Sequence, residues 1–109
     1  MLQTSKIFGS VPRTEVLLAI SLLGDTYPSE LARGLGFPAP SVQRILRDLE
    51  TEGILVSRER GRTRLYALNP RLYGVSALTE FLRKYVQQTE VDAKLQRLRT
   101  RPRRPAKEL

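Results

Sequence analysis

The chain contains no cysteine and no histidine. The first absence excludes disulfides, thiolate metal sites and a cysteine nucleophile. The second removes imidazole as a general base or metal ligand. No apolar run approaches the ~18 residues that a membrane-spanning helix needs, so no membrane is expected as a partner. The opening MLQTSKIFGS has no long apolar core. No secretory signal is read there, and a cytoplasmic location is expected. A glycine-rich phosphate loop, a serine-centred triad and a spaced pair of acids are all missing too. The chain is therefore not expected to be an enzyme, and it calls for no cofactor.

What the chain does have is positive charge. Among 109 residues, 19 Lys and Arg stand against 11 Asp and Glu, a net charge of +8. That balance suggests a polyanionic partner, either nucleic acid or an acidic surface. Residues 94–107 hold seven of the cations. The last stretch, RTRPRRPAKEL (residues 99–109), is basic and broken by prolines, and reads as a disordered tail. The middle of the chain stays basic without it. Length and a 40% hydrophobic content suit one small domain over residues 1–98 with a modest core.

Apolar spacing and breakers divide that domain. Val16, Leu17, Ile20 and Leu23 recur at helical spacing in residues 13–24, with Thr14 as a candidate cap and Gly24 as the stop. YPSELARGLG (27–36) predicts a short helix with Pro28 in its first turn and Gly36 at its end. FPAPSVQRILRDLETEG (37–53) predicts another, entered through Pro38 and Pro40. Val42, Ile45, Leu46 and Leu49 form its narrow apolar face. Ile54–Glu59 reads as a strand, Arg60-Gly61 as a tight turn and Arg62–Leu68 as the returning strand, closed by Asn69-Pro70. On that second strand, alternation puts Arg62, Arg64, Tyr66 and Leu68 on one face. Residues 71–98 read as a last helix with a stripe of Leu78, Phe81, Leu82 and Tyr85. Leu95 and Leu98 extend the stripe, and Gln87, Gln88 and Thr89 weaken its middle.

The order of helix, helix, turn, helix, basic hairpin and helix resembles a winged helix-turn-helix. The stretch that carries it is SELARGLGFPAPSVQRILRDLETEGILVSRERGRTRLYALNP. Within it, Leu31-Ala32, Leu35-Gly36, Val42, Leu46, Leu49-Glu50 and Gly53, followed by a hairpin ending in Tyr66 and Leu68, resemble the ArsR and MarR group of regulators. The opening FGSVPRTEVL also resembles small winged-helix proteins found beside nucleotidyltransferases. The resemblance spans residues 13–70 and implies a mainly α fold with a small β-hairpin (α+β). It implies terminal helices used for dimerisation, here residues 71–98 with the N-terminal helix, through Leu78, Phe81, Leu82 and Tyr85. Many ArsR relatives sense metals through Cys or His positions. This chain has SELARG at the first such place and neither residue anywhere, so no metal is expected.

A helix is about as wide as the major groove, and its exposed face must then carry groups that read base edges. Ser41, Gln43, Arg44 and Arg47 lie on that face of residues 39–52. Alone, they would read as the solvated side of an amphipathic helix. The helix before them and the basic hairpin after them favour duplex DNA. Arg58, Arg60, Arg62 and Arg64 crowd the hairpin against Glu59 alone, a density that suits a phosphate backbone or minor groove. Arg60 and Arg62 are the reaching pair, with Arg58 and Arg64 in support. The expectation is a homodimeric, sequence-specific DNA-binding transcription regulator acting as a repressor. Two alternatives stay open. One is an interaction or adaptor module that regulates a neighbouring enzyme such as a nucleotidyltransferase. The other is a nonspecific nucleic-acid binder.

Overall fold

Ser10, in extended conformation, opens helix α1 (Val11–Leu23) by accepting the Arg13 N–H at 3.1 Å through its Oγ. The cap expected at Thr14 is therefore at Ser10. Thr14 is fully buried, and its hydroxyl accepts the Phe8 N–H at 3.2 Å. The computed structural model describes residues 4–99, with side chains through residue 97. In it α1 is buried on every side from Thr14 to Ser21, so it is the central helix and not a half-exposed one. Gly24 ends it.

Helix α2 (Pro28–Leu35) follows, with Pro28 at its first position, where no hydrogen bond is lost. Gly36 closes it at φ +80, donating its N–H to the Ala32 carbonyl at 2.9 Å. A side chain at this left-handed position would be strained, so the tight turn needs glycine. Helix α3 (Ala39–Thr51) begins two residues beyond Phe37, with Pro38 as its N-cap and Pro40 inside the first turn. Its narrow apolar stripe faces inward as expected. Val42, Leu46 and Leu49 are fully buried and Ile45 half-buried.

Strands β1 (Leu55–Arg60) and β2 (Thr63–Leu68) pair antiparallel, with Leu55 opposite Leu68 and Arg60 opposite Thr63. The turn is thus Gly61-Arg62, one residue later than expected, and Gly61 adopts φ +62. Glycine relieves the steric cost of that conformation. Arg62 belongs to the turn, so it does not share the strand face of Arg64, Tyr66 and Leu68. Thr26 adds a one-residue bridge on the other edge of β2. It donates to Tyr66 O at 3.1 Å and accepts from Tyr66 N at 2.7 Å. Asn69 ties off the base, donating Nδ2 to Gly53 O at 2.9 Å.

The single last helix of residues 71–98 is in fact two, α4 (Val75–Val86) and α5 (Val91–Arg99). Thr89 separates them. It is buried, its Oγ1 donates to Val86 O at 2.9 Å, and the same oxygen accepts from Val91 N at 3.2 Å. These two bonds make a local threonine turn between the end of α4, capped at Gln87, and the start of α5. α5 can then turn back across α1 and α2, burying Val91 and Leu95. Lys94 pairs with the buried Glu15 of α1 at 3.0 Å and lies 5.6 Å from the centre of the Phe37 ring. The side chain of Leu98 lies outside the described residues. So do residues 100–109, which make up all of the basic tail except Arg99, whose backbone ends α5.

Of the four residues assigned to a dimer face, Leu82 is fully buried in the chain's own core and has no surface left for a second copy. Leu78 and Tyr85 are half-buried, while Phe81 is 43% exposed. The segment before α1 packs beside them. Phe8 meets Phe81 edge-on at 6.2 Å, Tyr85 stacks on Phe81 at 5.7 Å, and the Ser5 hydroxyl lies 2.6 Å from that of Tyr85. The two positions should separate by urea unfolding followed by circular dichroism. Leu82→Ala is expected to cost about 2–5 kcal/mol, as emptying a packed core site does, and Phe81→Ala clearly less.

Candidate nucleic-acid interface

α3 lies against α1 and β1, so one side of it is taken by the core. The other side is left bare by its own sequence period. Ser41, Gln43, Arg44, Arg47, Asp48 and Thr51 are all exposed. Among the described residues no carboxylate forms an ion pair with Arg44 or Arg47. The prolines at 38 and 40 are exposed too and make the entry to this face stiff and free of bulk. A stiff helix carrying short polar groups first and cations a turn later can be laid against a polyanion without first breaking internal pairs.

The hairpin stands next to this face. Alternation places Leu55, Ser57 and Glu59 on the same side as Leu68, Tyr66 and Arg64, the side that packs towards α3. Arg58 and Arg60 point to the opposite side. The four wing arginines thus fall into two kinds. Arg58 Nη2 pairs with Asp25 Oδ2, and Arg64 Nη2 pairs with Glu59 Oε2 at 3.0 Å. Arg64 Nη1 also donates to Ser57 Oγ at 2.9 Å. Arg60 and Arg62, at the tip, are exposed and form no ion pair among the described residues. A paired arginine must give up a carboxylate before it can meet a phosphate; the tip pair need not. Exposed pairs of this kind are weak, on the order of 0–1 kcal/mol, so Arg58 and Arg64 are held back only slightly.

Two contributors escaped the sequence reading. Asp25, placed in a loop, turns out to neutralise Arg58 across the sheet. Glu50, on the half-buried border of α3, accepts the Ser57 hydroxyl proton at 2.6 Å and so joins helix to wing. In the sequence Glu50 stands out only beside Leu49 in the winged-helix pattern, and nothing local points to Ser57 as its partner. Arg13 of α1 pairs with Glu52 just beyond α3, fixing the far end of that helix. Tyr66, buried between β1 and Thr26, has its hydroxyl pushed above the usual tyrosine range. Burial is the main cause and the Glu50 carboxylate adds to it, while Arg64 and Arg47 pull partly the other way.

Among the described residues no three acidic side chains gather in a way that could hold a metal ion. No described helix is long and apolar enough to cross a membrane.

Residues 15–59 match the family model of the IclR helix-turn-helix domain. The match runs from the second turn of α1 to the penultimate residue of β1, so the α2–turn–α3 unit is a helix-turn-helix by sequence as well as by geometry. Nothing among the curated proteins matches the chain. Among solved structures, a ZitR variant from Lactococcus lactis shares the fold at TM-score 0.56 and 14% identity, covering 75% of this chain and 57% of that one. The adhesin competence repressor AdcR from Streptococcus pyogenes does so at TM-score 0.54 and 14% identity, covering 78% and 64%. A second ZitR variant, in apo form, gives TM-score 0.52 at 17% identity, covering 75% and 66%. The fold is a winged helix of the α+β kind, as expected. The chain spans between 57% and 66% of the length of these relatives. The IclR-type model matches less than half of the chain, and together with the solved structures it supports a winged helix-turn-helix without singling out the ArsR and MarR group. The chain is thus similar to a helix-turn-helix domain over residues 15–59 and, in fold, to ZitR and the repressor AdcR.

Tyr66 provides a check on this packing by pH. Its hydroxyl titrates above the unfolded value of 10.0, so folding favours the protonated form. The stability this contributes is complete below pH 10 and is lost as pH rises through the higher folded value. In an alkaline absorbance titration of the 4 tyrosines, one should ionise late, and Tyr66→Phe should remove that late step.

Proposed function

We propose that this chain binds duplex DNA in a sequence-specific manner and regulates transcription, with α3 in the major groove and the wing on the adjoining backbone or minor groove. The observation that carries the reading is the bare face of α3. Ser41, Gln43, Arg44 and Arg47 are exposed on the second helix of a helix-turn-helix, with no ion pair on either arginine among the described residues. Gln43 suits adenine, and Arg44 and Arg47 suit guanine. Arg60 and Arg62 serve phosphate or the minor groove, and Arg58 and Arg64 lend support once released from their carboxylates. Repression is the sign of regulation that fits AdcR, a repressor with the same fold. A cytoplasmic location goes with such a role, and the reading needs no metal or cofactor.

The protein acts as a homodimer in this reading, as one domain over residues 1–98. A two-fold partner lets two α3 helices meet half-sites about 34–36 Å apart. The face is reduced to Phe81 with the half-buried Leu78 and Tyr85, joined by the exposed Ile7 before α1.

Two measurements test this. Against a duplex selected from random sequence, Arg44→Ala should lose about 1–3 kcal/mol of base discrimination. Arg60→Ala should weaken all duplexes alike and lower the salt slope by about one. A wild-type protein that prefers no sequence and owes its whole affinity to residues 99–109 would sink the reading. Light scattering should give the mass of a dimer; a monomer at high concentration would exclude the two-fold arrangement.

A further inference from the structure

Glu50 is an acid on the helix that the proposed function sends into DNA, where carboxylates are costly. Its surroundings account for it. From the last turns of α3 it accepts the Ser57 hydroxyl of β1 at 2.6 Å. The same Ser57 oxygen accepts Arg64 Nη1 of β2 at 2.9 Å, and the other arm of Arg64 holds Glu59 at 3.0 Å. Tyr66 lies opposite Ser57 in the ladder and feels the charges of Glu50, Arg64 and Arg47 together. Arg47 stands one turn before Glu50 on the same helix, at i, i+3 spacing. Glu50 is therefore surrounded by a major-groove candidate on one side and wing residues on the other.

We infer that Glu50 is a positioning residue for DNA recognition, one that ties the wing to α3 so that the two engage the duplex as one rigid reader. The inference rests on the DNA-binding reading above. Two independent basic elements would bind any duplex. Specificity requires both to reach their places together, since each contact discriminates only while the others hold the register. The carboxylate supplies this in two ways. It fixes the orientation of Ser57 and, through it, Arg64. It also brings a negative charge to the neighbourhood of Tyr66, where the positive charges of Arg47 and Arg64 are felt together, and so offsets their mutual repulsion.

The signature of this role is a split between affinity and specificity. Removing an acid from a DNA-binding surface raises nonspecific affinity, because one negative charge near the phosphates is gone. Removing a positioning residue lowers discrimination. For Glu50→Gln, nonspecific affinity should hold or rise, while the preference for the selected duplex over a shuffled one falls about tenfold, a coupling typical of neighbours in one network. Ser57→Ala breaks the link with no change of charge. It should lose the same discrimination and leave nonspecific affinity as it was.

Both variants are compared with the wild-type chain by fluorescence anisotropy on the two duplexes at one salt concentration, with thermal unfolding in parallel. Loss of discrimination at a near-native Tm supports the assignment. Three results overturn it: both affinities falling together with Tm, both rising equally, or discrimination unchanged in both variants. In each of these the wild-type preference survives, so the DNA-binding reading stands. A wild-type protein that selects no sequence at all removes that reading and this inference with it.

Discussion

The burial of Val42, Leu46 and Leu49 in the core formed around α1 is the contact on which the rest of the structure depends. It decides which side of α3 is hidden, and by the 3.6-residue period it decides which side is bare. Every exposed group on that helix follows from it. A change of even one residue in the phase of this stripe would turn Arg44 and Arg47 towards the core, where an unpaired guanidinium cannot be kept. The packing and the proposed reading face are thus two consequences of one spacing.

Around that contact the molecule sets its charges with some economy. The wing carries four arginines, yet Asp25 and Glu59 hold two of them, and Glu50 organises a third set of contacts through Ser57. Charge count alone would rate all four alike. Pairing leaves the tip as the part with immediate access to a polyanion. The same logic appears at the other end, where Lys94 serves the buried Glu15 and the Phe37 ring and is not available as a surface cation. Basic composition therefore overstates how many cations are free.

Much of the fold was legible in the chain because it rests on local signals. Pro28, Gly36, Pro38, Pro40 and Gly61 each mark a boundary through their own backbone limits, and these boundaries lie within a residue or two of their expected places. The failures have local causes of another kind. Arginines flank Gly61 on both sides, so residue type does not distinguish an Arg60-Gly61 turn from the Gly61-Arg62 turn that forms. No proline or glycine marks the α4–α5 break; Thr89 makes it, through two hydrogen bonds that only exist once Val86 and Val91 are in place. The stripe that holds Leu82 shows that a face is covered without saying by what, and here the cover is the chain's own core.

The sequence by itself determined the elements, their order and the inward and outward faces of α3, since period, proline and glycine act within a few residues. Only the tertiary structure decided which charges are free, which apolar residues are the chain's own core, and that Glu50 of α3 meets Ser57 and Arg64 of the wing. Those outcomes depend on groups far apart in sequence being brought within hydrogen-bond reach. No pattern read along the chain measures that distance.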